Sequence, residues 1–250
     1  MAGAFSDNLA AMRISRWVNA FTATILLAFG AAKAAHAEGK ESKLWLANFD
    51  AREKYFEHTL GPLPRNIVKM HSMKDVWPGG GIYIIPATKL GPKLTAYTTS
   101  GLSNTDMPAR IGKKQPAPRK RTAAGYGYEI IVITAPDQDW PLNLLPQMVT
   151  DEIRNDADLL ADVDNYEGMA IEDIDVGAAR PMDFLIARAR PPLPTGVQLP
   201  GGSMAVLVAT TITREERRWS MVHGRKALLD KLMEAGVGQV SKPGRDSVVK

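Results

Sequence analysis

The hydrophobic pattern of the chain predicts a mixed set of strands and helices. The strongest strand signal is the segment 128–134, in which the β-branched run Ile130–Ile133 is typical of a strand at the centre of a sheet. The other predicted strands are, in chain order, 67–70, 82–85, 94–99, 182–188 and 204–212. With the helices described next, they predict one α+β domain, a mixed β-sheet with helices packed on it.

Two helices are predicted in the first two thirds of the chain. The first covers 44–60 and ends at Gly61–Pro64, because proline cannot continue a helix. The residues expected on its apolar face are Leu44, Ala47, Ala51, Tyr55 and Phe56. The second starts at Pro141 and runs to about Asn155, since proline suits a first helical turn. We expect an irregular loop at 103–124 and an acidic loop after Asn155.

A further helical region is predicted after the last long strand. Thr213 and Glu216 have the spacing of a capping box, in which hydroxyl and carboxylate satisfy free backbone donors at the helix start. Gly224 is expected to divide the region into two helices, and Gly236 is expected to end the second.

The N-terminus has the pattern of a secretory signal peptide. Basic residues in Met12–Arg16 precede the apolar run Trp17–Ala32, and small residues lead to the A-x-A site Ala35–Ala37. Cleavage after Ala37 divides the chain into a signal peptide, 1–37, and a domain, 38–250. It predicts a periplasmic or secreted product without a stable membrane anchor.

Two alternatives to the cleaved signal stay open, an uncleaved anchor and a buried helix. The apolar run is shorter than the roughly 20 residues of a spanning helix, and Asn19, Thr22 and Thr24 make it more polar. Asp7 precedes the basic segment, so Met12 is an alternative start.

The amino-acid composition limits the kinds of chemical site that the chain can contain. The 250 residues are 45% hydrophobic and contain no cysteine, which excludes disulfides, thiolate metal sites and a cysteine nucleophile. The formal charge of +4 is small and dispersed, so we expect no nucleic-acid partner. The basic cluster Lys113–Arg121 has no interleaved aromatic residue for base stacking and is interpreted as an exposed loop.

No catalytic, cofactor or metal site stands out. His58, His71 and His223 lack ligand spacing, and the acidic residues between Asp151 and Glu167 do not follow a calcium-loop pattern. Ser100 lacks the first glycine of a nucleophile elbow, and its hydroxyl is interpreted as a turn hydrogen bond. A dispersed hydrolase site is the alternative, and it requires Ser100, Asp139 and His223 to meet in a pocket.

Four blocks in this order resemble the Suppressor of fused domain family. They are Leu94–Ser103, Tyr128–Ile133 with Trp140–Pro141, Ile212–Glu216, and Arg245–Val248. The motif positions carried over from the resemblance are Thr99, Ser100, Gly101, Ser103, Glu129, Trp140, Pro141, Glu215, Glu216 and Gly224.

This resemblance implies an α+β fold and protein binding without catalysis. Animal members sequester a transcription factor of the Hedgehog pathway, and many bacterial members are regarded as immunity proteins that neutralise toxins. The predicted export signal distinguishes this chain from cytoplasmic immunity proteins, and we expect it to have no counterpart of the long C-terminal half of animal members.

Our hypothesis from the sequence is therefore an exported, non-catalytic domain that binds a partner protein, with a toxin as one candidate, by covering its surface. Strand 94–99 and loop 103–124 are the expected contact surface. A secreted hydrolase and a structural protein of the cell envelope are the alternatives.

Overall fold

The computed structural model describes residues 40–70, 77, 79–108 and 122–250. The helices in these residues are α1 Lys40–Thr59, α2 Pro141–Arg154, α3 Leu159–Tyr166, α4 Arg214–His223 and α5 Arg225–Glu234. The strands are β1 Gly81–Pro86, β2 Thr95–Ser100, β3 Ala123–Thr134, β4 Met169–Ile174, β5 Met182–Arg188, β6 Gly196–Leu199, β7 Gly202–Ile212 and β8 Val240–Ser241.

The described strands form one mixed sheet. Its main order is β1-β2-β3-β7-β5-β4, with β6 paired to β7 and β8 paired to β3. The central strands β3 and β7 are parallel, in a register that places Ile130 opposite Leu207. The other neighbours along this main order are antiparallel. The predicted α+β class, a single mixed sheet covered by helices, is confirmed.

Both faces of the central strands are buried, which explains why 128–134 is almost continuously apolar. Ile130 and Val132 point into a core that includes Leu144 and Leu145 of α2. The alternate residues of β3 lie in a second core, against Phe56 and the residues around it in α1. A third cluster packs α5 against β5 and is closed by Val249 near the C-terminus.

Most of the predicted elements are present, with three corrections. Segment 67–70 forms only one isolated bridge, between Val68 and Ile82, instead of a strand. The expected acidic loop after Asn155 contains α3 and β4, because Leu159 and Val163 supply a short apolar face. β3 begins at Ala123, inside the segment 103–124 that was predicted to be a loop.

Several sequence predictions lie outside the described residues. They concern the signal peptide 1–37 with its cleavage residue Ala37, His71 and the basic cluster Lys113–Arg121. In the part of the chain that the structure describes, no helix has the length and apolar character needed to cross a membrane.

Candidate functional site

The carboxylate of Glu129 is the centre of a buried hydrogen-bond network. Alternation along β3 places its side chain on the α1 face of the sheet, where it is completely inaccessible to solvent. It accepts hydrogen bonds from the Thr99 hydroxyl at 2.7 Å and from the backbone N–H groups of Gly101, Leu102 and Ser103 at 2.8–3.3 Å. The Ser103 hydroxyl adds a fifth donor at 2.7 Å. Glu129 therefore fixes the turn that follows β2.

Gly101 is required where this turn passes close to its neighbours. Its φ is +135°, a conformation that L side chains rarely adopt. A Cβ atom on Gly101 would lie 2.7 Å from Nε1 of Trp77 and 2.8 Å from the Cα of Gly80. Steric crowding therefore explains why glycine follows Ser100. The turn at Gly101 lets three consecutive N–H groups donate to the carboxylate of Glu129.

Arg52 of α1 is the cation of this network, and sequence reasoning missed it. Its side chain is fully buried, with Nη1 3.7 Å from Oε1 of Glu129. Nη1 donates to the Ser103 hydroxyl at 3.0 Å and to Oδ1 of Asn104 at 2.8 Å. Burial lowers the pKa of Arg52, and the charge of Glu129 opposes this shift. The guanidinium also lies over the Phe49 ring, 5.3 Å from its centroid.

Asn48 extends the same network to the β6–β7 turn. Its Nδ2 donates to the carbonyl of Ser103 at 2.7 Å, and its Oδ1 accepts from the N–H of Gly201 at 3.0 Å. The buried face of α1 thus carries Asn48 and Arg52 among aromatic residues. The predicted face was confirmed for Phe56, Tyr55 and Ala51, which lie in or against the second core, and wrong for Ala47, which is exposed. An arginine spaced seven residues after Trp45 and four before Phe56 is the signal that could have located it.

The proposed hydrolase residues do not come together. Ser100 is fully buried on β2, and its hydroxyl has no hydrogen-bond partner among the described residues, so the predicted turn hydrogen bond is wrong. His223 is exposed at the end of α4, where its Nδ1 lies 3.0 Å from the carbonyl of Trp219. α4 is attached to β5 through Arg217 and Asp183. β5 is three strand spacings from β2, or about 14 Å.

No metal centre forms within the described ranges, where no three His, Asp or Glu residues group in a way that could hold an ion. The acidic residues that follow α2 take part in local contacts instead. Asp164 forms a two-point ion pair with Arg188. Asp158 precedes α3 with a left-handed backbone, and its carbonyl accepts from the N–H of Asp162 at 3.1 Å. His58 is exposed on α1.

Trp140 and Pro141 begin α2 and anchor it to the sheet. Pro141 occupies the first helical turn, as predicted, where a missing N–H has no cost. The Trp140 ring packs on Phe184 of β5, with ring centroids 5.6 Å apart. Both residues are buried, so this motif positions a helix.

Glu216 is a second buried carboxylate hub, while Glu215 beside it is exposed. Glu216 completes the predicted capping box with Thr213. Arg245 donates to both of its oxygens at 2.6 Å, and the N–H of Val248 donates to Oε1 at 2.8 Å. Glu216 therefore ties the C-terminal segment to the start of α4.

Gly224 separates α4 from α5, as predicted. Its φ is +92°, and it ends one helix and precedes the next. A Cβ there would meet no heavy atom within 4 Å, so the requirement for glycine is conformational rather than steric.

The expected contact surface at strand 94–99 is wrong. β2 pairs with β1 on one side and β3 on the other, and its six residues are all buried. The described start of the loop that follows is also largely buried, at Ser103, Asn104, Thr105 and Met107. A strand in this position has no free edge to offer a partner.

The outer strand β4 is open in the described structure. It pairs with β5 alone, in regular antiparallel register from Met169 to Ile171. Asp173 adopts a left-handed conformation with φ of +51°, and the register shifts before Ile174. At the other end of the sheet, Val68 already bridges to β1.

The family of the chain follows from a comparison with family models. The model of the Suppressor of fused protein (SUFU) matches residues 77–246, which is more than half of the chain. The chain therefore belongs to the Suppressor of fused family. A search of curated proteins gives no significant match.

Solved structures share the fold at low sequence identity. A SUFU homolog from Neisseria gonorrhoeae FA 1090 has a TM-score of 0.53 at 15% identity, over 83% of this chain and 98% of that one. A chain of the Sufu–Fu complex has a TM-score of 0.53 at 16% identity, over 82% and 92%. Drosophila Suppressor of Fused has a TM-score of 0.52 at 17% identity, over 82% of this chain but 51% of the other.

Proposed function

We propose that this chain is an exported, non-catalytic domain that binds a partner protein and acts by covering part of its surface. The observation that carries this proposal is family membership together with the likeness to a chain solved in a complex, the Sufu–Fu complex. The buried motif residues agree with it, because Glu129, Trp140 and Glu216 are used for internal contacts. These internal contacts indicate that the motif residues hold the fold together. We therefore expect the partner to bind elsewhere, on the outer surface of the domain.

Export is supported by the sequence of the N-terminus. Its basic start, apolar run and A-x-A site at Ala35–Ala37 are the pattern of a cleaved signal. N-terminal sequencing of the product is expected to give Glu38 as its first residue. An intact Met1 or Met12 in the exported fraction would overturn this part of the proposal.

We place the contact surface at the open edge of β4. The segment Met169–Ile171 is paired only on the β5 side, so its outward backbone groups can pair with an extended segment of another protein. The bulge at Asp173 ends this edge, which limits the added strand to a few residues. Backbone pairing supplies affinity there, and flanking side chains supply specificity.

The specific partner we propose is a toxin protein, in line with the immunity role suggested for bacterial members of the family. An exported domain would meet such a toxin in the periplasm or outside the cell. Inhibition of growth by the captured partner, relieved by adding the purified domain, is the expected result. A captured partner that does not inhibit growth would reject the proposal that the partner is a toxin. The proposal that the domain binds a protein would still stand.

The binding function is tested by capture followed by hydrogen exchange. Tagged protein from residue 38 onward is used to retain partners from periplasmic extract, and the complex is reconstituted from purified components. We expect slower amide exchange in 169–174 on binding, with 81–86 of β1 as the internal comparison. Protection confined to other segments would place the contact elsewhere, and failure to retain any specific protein would reject binding.

Two proline variants test whether the partner binds at the edge of β4. Successive N–H groups of a strand point to opposite sides, so one of Met169→Pro and Ala170→Pro removes an outward donor and the other removes a donor to β5. The variant that keeps wild-type stability is the outward one, and it is expected to lose partner binding. Retained binding by that variant would exclude strand addition at this edge.

A further inference from the structure

Met221 is the methionine with the most accessible side chain in the described ranges. Its relative exposure is 61%, whereas Met148 and Met204 are buried at 5% and 2%. It lies on the outer side of α4, next to Val222, which is 80% exposed. A soluble oxidant can therefore reach this thioether without any opening of the fold.

The sulfur of Met221 already faces a strong hydrogen-bond donor. Nη1 of Arg217, one helical turn earlier, lies 3.8 Å from the sulfur. The other nitrogens of this guanidinium are held by acids of the sheet, Nε by Asp183 at 3.0 Å and Nη2 by Glu172 at 2.7 Å. Arg217 is thus fixed in place, with one N–H group directed at a weak acceptor.

We propose that Met221 is an oxidation site whose product is held by Arg217. In the reaction with hydrogen peroxide, the sulfur attacks one peroxide oxygen, the O–O bond breaks and the S=O bond forms. The second oxygen leaves as water after proton transfer. Sulfur is oxidised by two electrons and the peroxide is reduced by two, so no other reactant is needed.

The sulfoxide oxygen is a much stronger acceptor than the thioether it replaces. In the epimer whose oxygen is directed at the fixed Nη1 donor, oxidation converts a weak N–H···S contact into a hydrogen bond from a charged group. Met221 and Val222 are neighbouring apolar side chains that are both exposed. Oxidation of Met221 makes this part of the surface more polar. The modification therefore changes the outer surface of α4 while keeping the helix attached to β4 and β5.

The first test is the rate of oxidation in the folded protein. Dilute hydrogen peroxide is applied, and peptide mapping by mass spectrometry follows the addition of one oxygen atom to each methionine. We expect Met221 to react about tenfold faster than Met148 and Met204, and the difference to vanish in denaturant. Equal rates in the native protein would overturn the proposal. Met221→Leu is the matched control, in which this peptide gains no oxygen.

The second test isolates the role of Arg217 as the group that holds the product. Protein oxidised at Met221 alone is compared with reduced protein by thermal unfolding, in the wild type and in Arg217→Lys. We expect Tm to be maintained or raised on oxidation of the wild type, and to fall on oxidation of the lysine variant. The same change in Tm on oxidation of both proteins would show that Arg217 does not hold the sulfoxide. The rate test needs no variant, so the oxidation site stays testable even if Arg217→Lys folds poorly.

Discussion

Arg52 and Glu129 face each other at 3.7 Å with both side chains fully buried, and the hydroxyl of Ser103 connects them. The hydroxyl accepts a hydrogen bond from Nη1 of Arg52 and donates one to Oε1 of Glu129. One residue belongs to α1 and the other to the central strand β3. Their contact therefore fixes α1 on the sheet through the turn after β2.

Removing the charge of Glu129 is expected to be more damaging than removing that of Arg52. Glu129→Gln leaves a buried guanidinium without its counter-ion and should lower the free energy of unfolding by about 3–5 kcal/mol. Arg52→Met should have a smaller effect, because Glu129 keeps its donors from the turn. Urea denaturation measures both, and a larger loss for Arg52→Met would contradict this account.

The double variant provides the control for this pair. If the two residues act through one network, Arg52→Met combined with Glu129→Gln should be less destabilised than the sum of the single variants. Strict additivity would show that α1 and the turn are stabilised independently.

Gly101 and Gly224 are expected to respond differently to alanine. Both have positive φ, so either variant strains the backbone by about 1–3 kcal/mol. Gly101→Ala also places Cβ against Trp77 and Gly80, which should add about 1–3 kcal/mol. Gly224→Ala meets open space. Denaturation curves showing equal losses would refute the steric part of this explanation.

The C-terminal segment should loosen when its ion pair with Glu216 is removed. Arg245→Met loses two 2.6 Å contacts to a fully buried carboxylate, and we expect about 3 kcal/mol of destabilisation. Hydrogen exchange should accelerate in residues 242–250. Lys242→Met is the control on an exposed side chain of the same segment, and its unfolding midpoint should stay at the wild-type value. Unchanged exchange in Arg245→Met would argue that other contacts hold the segment.

Neutralising Asp151 should stabilise the protein at neutral pH. Burial raises the pKa of Asp151 above its usual value of 3.8, and the hydrogen bond from Asn155 only partly opposes this. The folded state thus disfavours the charged form, so the cost is present above the folded pKa and fades as pH falls through it. Its place in the last turn of α2 adds an unfavourable interaction with the helix dipole.

We expect Asp151→Asn to raise Tm most at about pH 7, with the gain declining toward about pH 4. Asp246→Asn, on the exposed C-terminal segment, is the comparison for a general effect of net charge. A gain that grows toward acid pH would have the wrong sign for this explanation.

Much of the fold could be predicted because its signals are local. The β-branched run in β3, the proline at the start of α2 and the capping box at Thr213 each act within a few residues. The short strands β6 and β8 were missed because pairing with β7 and β3 defines them. α3 and β4 were missed because acidic residues dominate that segment and hide a short apolar pattern.

The motif positions could be selected from the sequence, but what they do could not. Ser103 and Glu129 are 26 residues apart, and Arg52 is 51 residues before Ser103. Arg52 has helical spacing from Trp45 and Phe56, but this spacing does not indicate which distant residues it contacts. The expected contact surface failed for the same reason, since the pairing of β2 on both sides depends on distant strands.

The sequence by itself determined most of the longer elements, the mixed α+β class and the family resemblance, because propensity, periodicity and capping depend on neighbouring residues. Only the tertiary structure decided which charged groups are buried, which strand is open and which methionine faces solvent. Those properties depend on how the sheet brings distant segments together and excludes water between them. Glu129 shows the difference: a single glutamate in an apolar strand becomes the centre of five hydrogen bonds once the turn after β2 folds over it.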